Sequence, residues 1–122
     1  MSRDLVHLVD DDDSVRSTLA RLLRSGGYEV IQYSSGDELL ASAETLKSGV
    51  VLLDINMPGK DGFAVHRALA DRSIDLPVVM MTGAGDLTIL ALKAGASELM
   101  QKPFGRGELL AVLDQISGRA VT

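Results

Sequence analysis

The chain has 122 residues, a net charge of −5 and no cysteine. A chain of this length can bury a core of its own, so residues 1–122 are predicted to form a single domain. The acidic balance argues against direct nucleic-acid binding and favours a cation or basic partners. Disulfides and thiolate metal sites are excluded. Neither a signal-peptide pattern nor an apolar run of ~18 residues is present, so we expect a cytoplasmic protein without membrane contact.

The first predicted strand and helix are joined by an acidic run. Residues 5–9 are apolar enough for a short strand, and four aspartates follow at 10–13. Ser14 is a candidate N-cap for a helix that ends at Gly26 and Gly27. Its apolar residues recur with helical spacing: Val15, Leu19, Leu22 and Leu23. Its arginines are predicted elsewhere on the helix surface: Arg16, Arg21 and Arg24.

Strands and helices continue to alternate along the rest of the chain. Further strands are predicted over 28–33, 50–54, 77–81 and 97–101. Two further helices begin near Ser35 and Asp61, the latter closing near Ser73, and two more cover 86–94 and 107–117. Five strands alternating with five helices indicate parallel βαβ units.

The predicted fold is a flavodoxin-like (βα)5 three-layer sandwich with strand order 2-1-3-4-5. Strands one, three and four are apolar throughout, which is typical of central strands buried on both faces. Strands two and five are mixed and belong at the edges. The switch point of this topology, where ligands bind in open parallel sheets, lies between strands one and three.

Carboxylates follow both strands at this switch point. Asp10 and Asp11 follow the first strand, and Asp54 ends the third. Like charges so close together favour a hard divalent cation, and Mg²⁺ prefers oxygen ligands, which also suit Mn²⁺. Asp11 and Asp54 are predicted as direct ligands, with Asp10 acting through water. Asp12 and Asp13 are interpreted as a solvated turn or a helix cap.

Strands four and five bring a hydroxyl and an ammonium to the same edge, from Thr82 and Lys102. Metal and ammonium can neutralise phosphoryl oxygens, and the hydroxyl can donate a hydrogen bond to another. An aspartate carboxylate can accept a phosphoryl group as an acyl phosphate. The set therefore predicts a phosphoryl group held on Asp54.

The sequence resembles the receiver domain of bacterial two-component response regulators over essentially its whole length. The matching motifs occur in order: Asp10 with Asp11, D-x-x-M-P-x-x-D-G from Asp54 to Gly62, Thr82 with Gly83, and Lys102 with Pro103. The TGAGD turn and the KPF segment are most similar to receivers of the nitrogen-fixation regulator type, which carry a helix-turn-helix output domain.

The resemblance implies a phosphoacceptor domain rather than a turnover enzyme. Asp54 would take a phosphoryl group from a sensor histidine kinase or phosphotransfer protein, with Mg²⁺, switch conformation and later lose the group to water. The backbone carbonyl of Asn56 would complete the metal site, and Asn56 and Ala84 would tune dephosphorylation. Structural roles are implied for Pro58, Gly62 and Pro103, with a cis Lys102–Pro103 bond. An output domain or downstream effector, and a phosphorylation-dependent homodimer, are left open.

Two departures from the family pattern concern signal output. Leu99 stands where members usually carry Tyr or Phe, the ring that moves together with the hydroxyl of the switch residue, here Thr82. Only 20 residues lead from Thr82 to Lys102, which shortens the predicted 86–94 helix. We therefore expect that helix and its preceding loop to be unusually mobile or displaced.

Two other functions remain open at this point. Asp10, Asp12 and Ser14 form a passable D-x-D-x-[ST] motif of a haloacid-dehalogenase-like phosphatase with Asp10 as nucleophile. Leu99 and the short helix favour instead a receiver-fold binding module that acts without phosphorylation. His7 and His66 are interpreted as ordinary strand and helix-surface residues.

Overall fold

The computed structural model describes residues 5–55, 62–83, 95–96 and 98–117. Its strands are β1 (Leu5–Val9), β2 (Glu29–Tyr33), β3 (Val50–Asp54), β4 (Val78–Thr82) and β5 (Glu98–Gln101). Its helices are α1 (Asp13–Ser25), α2 (Gly36–Ala41), α3 (Gly62–Asp71) and α4 (Arg106–Ser117), with a 3-10 turn at Ala43–Thr45. Within these residues, every predicted strand and helix is present to within a few positions.

The five strands form one parallel sheet in the order β2-β1-β3-β4-β5. The predicted flavodoxin-like topology is confirmed. All five residues of β3 and of β4 are buried, whereas β2 alternates between exposed and more buried positions. Uniform burial requires helices on both faces of the central strands, which explains their continuous apolar sequence.

Two hydrophobic clusters lie on opposite faces of the sheet. One cluster joins residues such as Leu53 and Met80 to helices α2 and α3. The other joins residues such as Leu52 and Met81 to α1 and α4. Because neighbouring strand residues point to opposite faces, each apolar strand contributes to both clusters. The chain is therefore a three-layer sandwich, as predicted.

The start of α1 differs by two residues from the prediction. Asp12, not Ser14, is the N-cap, and its carboxylate accepts a hydrogen bond from the backbone N–H of Val15 at 3.0 Å. Asp13 then occupies the first turn, where a negative charge stabilises the helix dipole. The interpretation of Asp12 and Asp13 as cap and turn residues is confirmed. Helix α2 begins next to Ser35 as predicted, and the Ser35 hydroxyl caps it by accepting from the N–H of Glu38 at 3.1 Å.

Several predictions lie outside the described residues. They are the roles of Asn56, Pro58 and Ala84, the predicted helix start at Asp61, and the 86–94 helix with its expected mobility. Within the residues that are described, no helix is both long and apolar enough to span a membrane.

Candidate functional site

The candidate site lies where β1 and β3 end side by side. Val9 pairs with Leu53 in the sheet register, so the residues that follow each of them are neighbours. Asp10 is 0% and Asp54 is 4% exposed, whereas Asp11 is exposed. One carboxylate oxygen from each of the three lies within 4.8 Å of the other two. The structure thus brings together the three predicted acidic residues.

Four hydrogen bonds to other described residues hold Asp10 in place. Its backbone N–H donates to the carbonyl of Tyr33 at 3.2 Å, and its own carbonyl accepts from Arg16 at 2.7 Å. Oδ1 accepts from the N–H of Asp12 at 2.9 Å, and Oδ2 accepts from Nζ of Lys102 at 2.9 Å. Both carboxylate oxygens of Asp10 therefore already accept a hydrogen bond, which suits a role in metal binding through water.

Lys102 supplies the ammonium of the site. Its backbone N–H donates to the carbonyl of Thr82 at 2.7 Å, directly after the β4–β5 pairing, and the Lys102–Pro103 bond is cis. Its Nζ lies 2.9 Å from Asp10 and 3.5 Å from Asp54. Burial lowers the pKa of Lys102, but the hydrogen bonds and negative charges of Asp10 and Asp54 outweigh that effect and raise it overall. The side chain is consequently a cation at neutral pH.

Thr82 ends β4 at the same edge of the sheet and is 1% exposed. Asp54 pairs with Met81 in the register, so Thr82 lies one residue beyond the neighbour of Asp54. Leu99 pairs with Met80 and packs, half-buried, against the cluster that contains Met80. Because Thr82 follows Met80 by two positions along the strand, Thr82 and Leu99 belong to the same face of the sheet.

Gly62 permits the close approach of α3 to the end of β3. A Cβ atom on Gly62 would lie 2.7 Å from Cα of Ile55 and 3.0 Å from the carbonyl oxygen of Asp54. Its backbone N–H also donates to the carbonyl of Ile55 at 3.1 Å. Only glycine fits here without movement of the backbone on either side.

The charges of the site suit a hard cation. Among the residues that the structure describes, three carboxylates meet one ammonium, so negative charge is in excess, and two of the carboxylates are almost fully buried. Oxygen-only ligands with part of the site open to water match the coordination that Mg²⁺ prefers. The acidic cluster of Asp10, Asp11 and Asp54 therefore fits a divalent metal ion.

One contact of the site was not anticipated from the sequence. Arg16 was predicted on the helix surface, but its side chain is only 15% exposed and bonds to the carbonyl of Asp10 and to the carboxylate of Asp13. The spacing of Asp13 and Arg16, three residues apart on a helix, was the available signal for their ion pair. The bond to the Asp10 carbonyl had no such signal, because it depends on the path of the loop.

Fold and site together define a doubly wound α/β domain with an acidic, lysine-containing pocket at its switch point. The sequence model of the response regulator receiver domain matches residues 6–114. The chain belongs to this family, and the prediction made from its motifs is confirmed. It is a receiver domain rather than a turnover enzyme. The phosphatase alternative is set aside, because the receiver-domain model covers residues 6–114.

Individual relatives agree with the predicted subgroup. The transcriptional regulatory protein FixJ of Azorhizobium caulinodans is 38% identical over 117 residues, which are 94% of this chain and 56% of that protein. The tetrathionate response regulatory protein TtrR of Salmonella typhimurium is 42% identical over 112 residues, 90% of this chain and 54% of that protein. The chain spans about half the length of these curated relatives.

Solved structures show the same likeness in three dimensions. The crystal structure of FixJ-N superposes with a TM-score of 0.89 at 34% identity, covering 100% of this chain and 99% of that one. The chemotaxis protein CheY4 of Vibrio cholerae superposes with a TM-score of 0.84 at 31% identity, covering 92% and 97% of the two chains. The resemblance to receivers of the nitrogen-fixation regulator type is confirmed.

Proposed function

We propose that Asp54 is the phosphoacceptor of a two-component signalling system. The observation that carries the proposal is the position of this buried carboxylate, with the Lys102 ammonium at 3.5 Å and the carboxylates of Asp10 and Asp11 within 4.8 Å. A carboxylate in this setting has both an ammonium and an acidic pair suited to a metal ion close by. Such an arrangement stabilises the charge that develops on a phosphoryl group in transfer.

The reaction is an exchange of one bond to phosphorus for another. A carboxylate oxygen of Asp54 attacks the phosphorus of a phosphohistidine, an O–P bond forms, and the N–P bond to the donor histidine breaks. Lys102 pairs with one phosphoryl oxygen, and the Thr82 hydroxyl donates to another. Attack by water on the acyl phosphate later releases inorganic phosphate and restores the Asp54 carboxylate.

Asp11 and Asp54 are proposed as the direct ligands of Mg²⁺, with Asp10 acting through water and the carbonyl of Asn56 as a further ligand. The two existing hydrogen bonds to the carboxylate of Asp10 support its indirect role. When bound, the ion neutralises phosphoryl oxygens and orients them towards Asp54. Mn²⁺ takes the same oxygen ligands.

Thr82 and Leu99 are proposed to carry the signal away from the site. They belong to the same face of the sheet, and Leu99 is packed against a core cluster rather than exposed. Phosphorylation then biases an equilibrium between two conformations, as a ligand does when it binds one of them more tightly. The leucine supplies bulk at this position but no hydroxyl or ring.

The remaining biological context follows from the family and the charge of the chain. We propose that residues 1–122 form one receiver domain that works in the cytoplasm with a sensor histidine kinase or a phosphotransfer protein. The FixJ and TtrR relatives are about twice its length, which supports an output domain or a downstream effector as the recipient of the signal. Phosphorylation-dependent homodimerisation is a further property to test. The net charge of −5 supports a domain that does not bind nucleic acid directly.

A phosphodonor experiment tests the central proposal. The wild type is incubated with acetyl phosphate, with and without Mg²⁺, and intact mass and oligomeric state are measured in the same samples. We expect one added phosphoryl group that requires Mg²⁺ and is lost on standing. Asp54→Asn should take none, because an amide does not form the acyl phosphate.

The matched variant is Asp71→Asn, which removes an exposed carboxylate at the end of α3. It should be phosphorylated like the wild type. Absence of added mass on the wild type would contradict the proposal and favour a module that works without phosphorylation. Added mass that survives in Asp54→Asn would place the acceptor elsewhere.

A further inference from the structure

Arg16 joins the two ends of the acidic loop between β1 and α1. One guanidinium nitrogen donates to the backbone carbonyl of Asp10 at 2.7 Å, and the other terminal nitrogen pairs with the carboxylate of Asp13. The side chain is only 15% exposed. The arginine therefore spans the segment that contains Asp11, touching the residue before it and a residue after it.

The same segment has a second internal bond. The N–H of Asp12 donates to Oδ1 of Asp10 at 2.9 Å, while the other oxygen of Asp10 is held by Lys102. Asp11 lies between these fixed points, is exposed, and still has a carboxylate oxygen within 4.8 Å of those of Asp10 and Asp54. An exposed side chain keeps that place only if the backbone that carries it is fixed.

We infer that Arg16 is a positioning residue: by fixing residues 10–13 it keeps Asp11 beside Asp54 and so sets the affinity of the acidic site for a divalent cation. It touches neither the ion nor the phosphoryl group. Outer partners that orient metal ligands commonly alter metal affinity by about 10- to 100-fold when they are removed. The inference rests on the proposed function, because it assumes that Asp11 and Asp54 bind the metal.

Charge and geometry have opposite effects here, which makes the inference testable. Loss of the Arg16 charge would by itself strengthen cation binding, since it makes the surroundings more negative. Loss of the two-point contact would weaken it. Lysine retains the charge but has one compact ammonium, which does not reproduce the planar fork that reaches two acceptors. Arg16→Lys therefore isolates the geometric contribution.

The experiment measures Mg²⁺ and Mn²⁺ dissociation constants by titration for the wild type, Arg16→Lys and Arg21→Lys. Arg21 is an exposed arginine of the same helix and serves as the control. Amide hydrogen exchange at Asp12 is followed in the same proteins without metal. We expect Arg16→Lys to weaken cation binding by about tenfold and to speed exchange at Asp12, whereas Arg21→Lys changes neither. Thermal unfolding of each variant verifies that all remain folded.

The outcomes separate the two proposals. If the wild type binds Mg²⁺ and Arg16→Lys binds it equally well with unchanged exchange at Asp12, the role of Arg16 is overturned and the proposed function stands. If the wild type binds no divalent cation at millimolar concentration, the metal site and the inference fall together. Should Arg16→Lys unfold, Arg16→Gln is measured against Arg21→Gln by the same two readouts.

Discussion

The ammonium of Lys102 lies 2.9 Å from the carboxylate of Asp10, although 92 positions separate the two residues in the chain. Asp10 follows β1 and Lys102 follows β5, so the contact reaches across the ends of the intervening strands β3 and β4. Asp10 is 0% exposed and depends on this cation for compensation of its charge. The pair therefore links the stability of the domain to the chemistry proposed for its site.

Replacing Lys102 by methionine should destabilise the metal-free protein by about 1–3 kcal/mol, because a buried carboxylate loses its charged partner. Urea denaturation with EDTA present measures the free energy of unfolding. Lys47→Met, at an exposed position, should leave it unchanged. Adding Asp10→Asn to Lys102→Met should recover part of the loss, and a double variant no more stable than the single one would contradict the assigned pairing.

The ion pair between Lys102 and Asp10 also predicts that the free energy of unfolding changes with pH in the alkaline range. Because the pKa of Lys102 is raised in the folded state, its contribution to stability is complete below the unfolded pKa of about 10.4 and is lost as pH rises through the folded pKa. The difference in unfolding free energy between wild type and Lys102→Met should therefore shrink above that pH. A difference that stays constant up to the limit of the folded range would argue against a raised pKa.

His7 predicts a loss of stability on the acidic side. Burial lowers the pKa of His7, against the opposing effect of its bond to the carbonyl of Ser48, and its Nδ1 lies 3.0 Å from the hydroxyl of Tyr33. Since Nε2 donates to the carbonyl, Nδ1 accepts from the tyrosine, and the ring is neutral. Stability should be full above the unfolded pKa of about 6.5 and fall below it, by at most about 1.4 kcal/mol per pH unit.

Denaturation at several pH values between 5 and 7.5 measures the His7 effect, a window that lies above the usual carboxyl range. His7→Gln should be less stable at neutral pH but lack this part of the pH dependence. His66→Gln, at a partly exposed position of α3, is the control for loss of an imidazole elsewhere in the chain. A His7→Gln profile parallel to that of the wild type would assign the dependence to other groups.

Gly62→Ala should destabilise the protein by about 1–3 kcal/mol, because the added methyl group meets backbone atoms of Ile55 and Asp54 that have little room to move. It should also lower the rate of labelling by acetyl phosphate, since the displaced backbone carries the proposed acceptor. Gly107→Ala is the matched control. Nothing lies within 4 Å of its added Cβ, and at the second position of α4 the substitution should be close to neutral. Equal effects of the two substitutions would contradict the close approach at Gly62.

Leu99 provides a test of the proposed switch. Leu99→Tyr introduces the ring usual in the family, whereas Leu99→Met keeps the volume without a ring. If residue 99 responds to phosphorylation, Leu99→Tyr should change the unfolding free energy of the phosphorylated and unphosphorylated forms by different amounts, and Leu99→Met should change both alike. Denaturation with and without acetyl phosphate measures the difference. Equal shifts for Leu99→Tyr would remove residue 99 from the switch.

Much of the fold could be predicted because the pattern of apolar residues within each strand indicates how deeply that strand is buried. The continuous apolar residues of β3 and β4 identify central strands, and the mixed residues of β2 identify an edge. Strand order then follows, and with it the meeting of Asp10, Asp11 and Asp54. The first residue of α1 was harder to predict, because Asp12 and Ser14 are both good N-cap residues. Only the observed hydrogen bond from the N–H of Val15 to Asp12 distinguishes them.

The sequence by itself determined the class of domain, the topology and the acidic residues of the site, since these depend on periodicity and on which residues end each strand. The tertiary structure alone decided how those residues are held. Arg16 turns inward to the carbonyl of Asp10, Lys102 favours Asp10 over Asp54 by 2.9 against 3.5 Å, and His7 bonds to Tyr33 inside the sandwich. Such contacts depend on the path of the loops and on how the layers pack. The residues that meet in this way are not related by any regular spacing in the sequence.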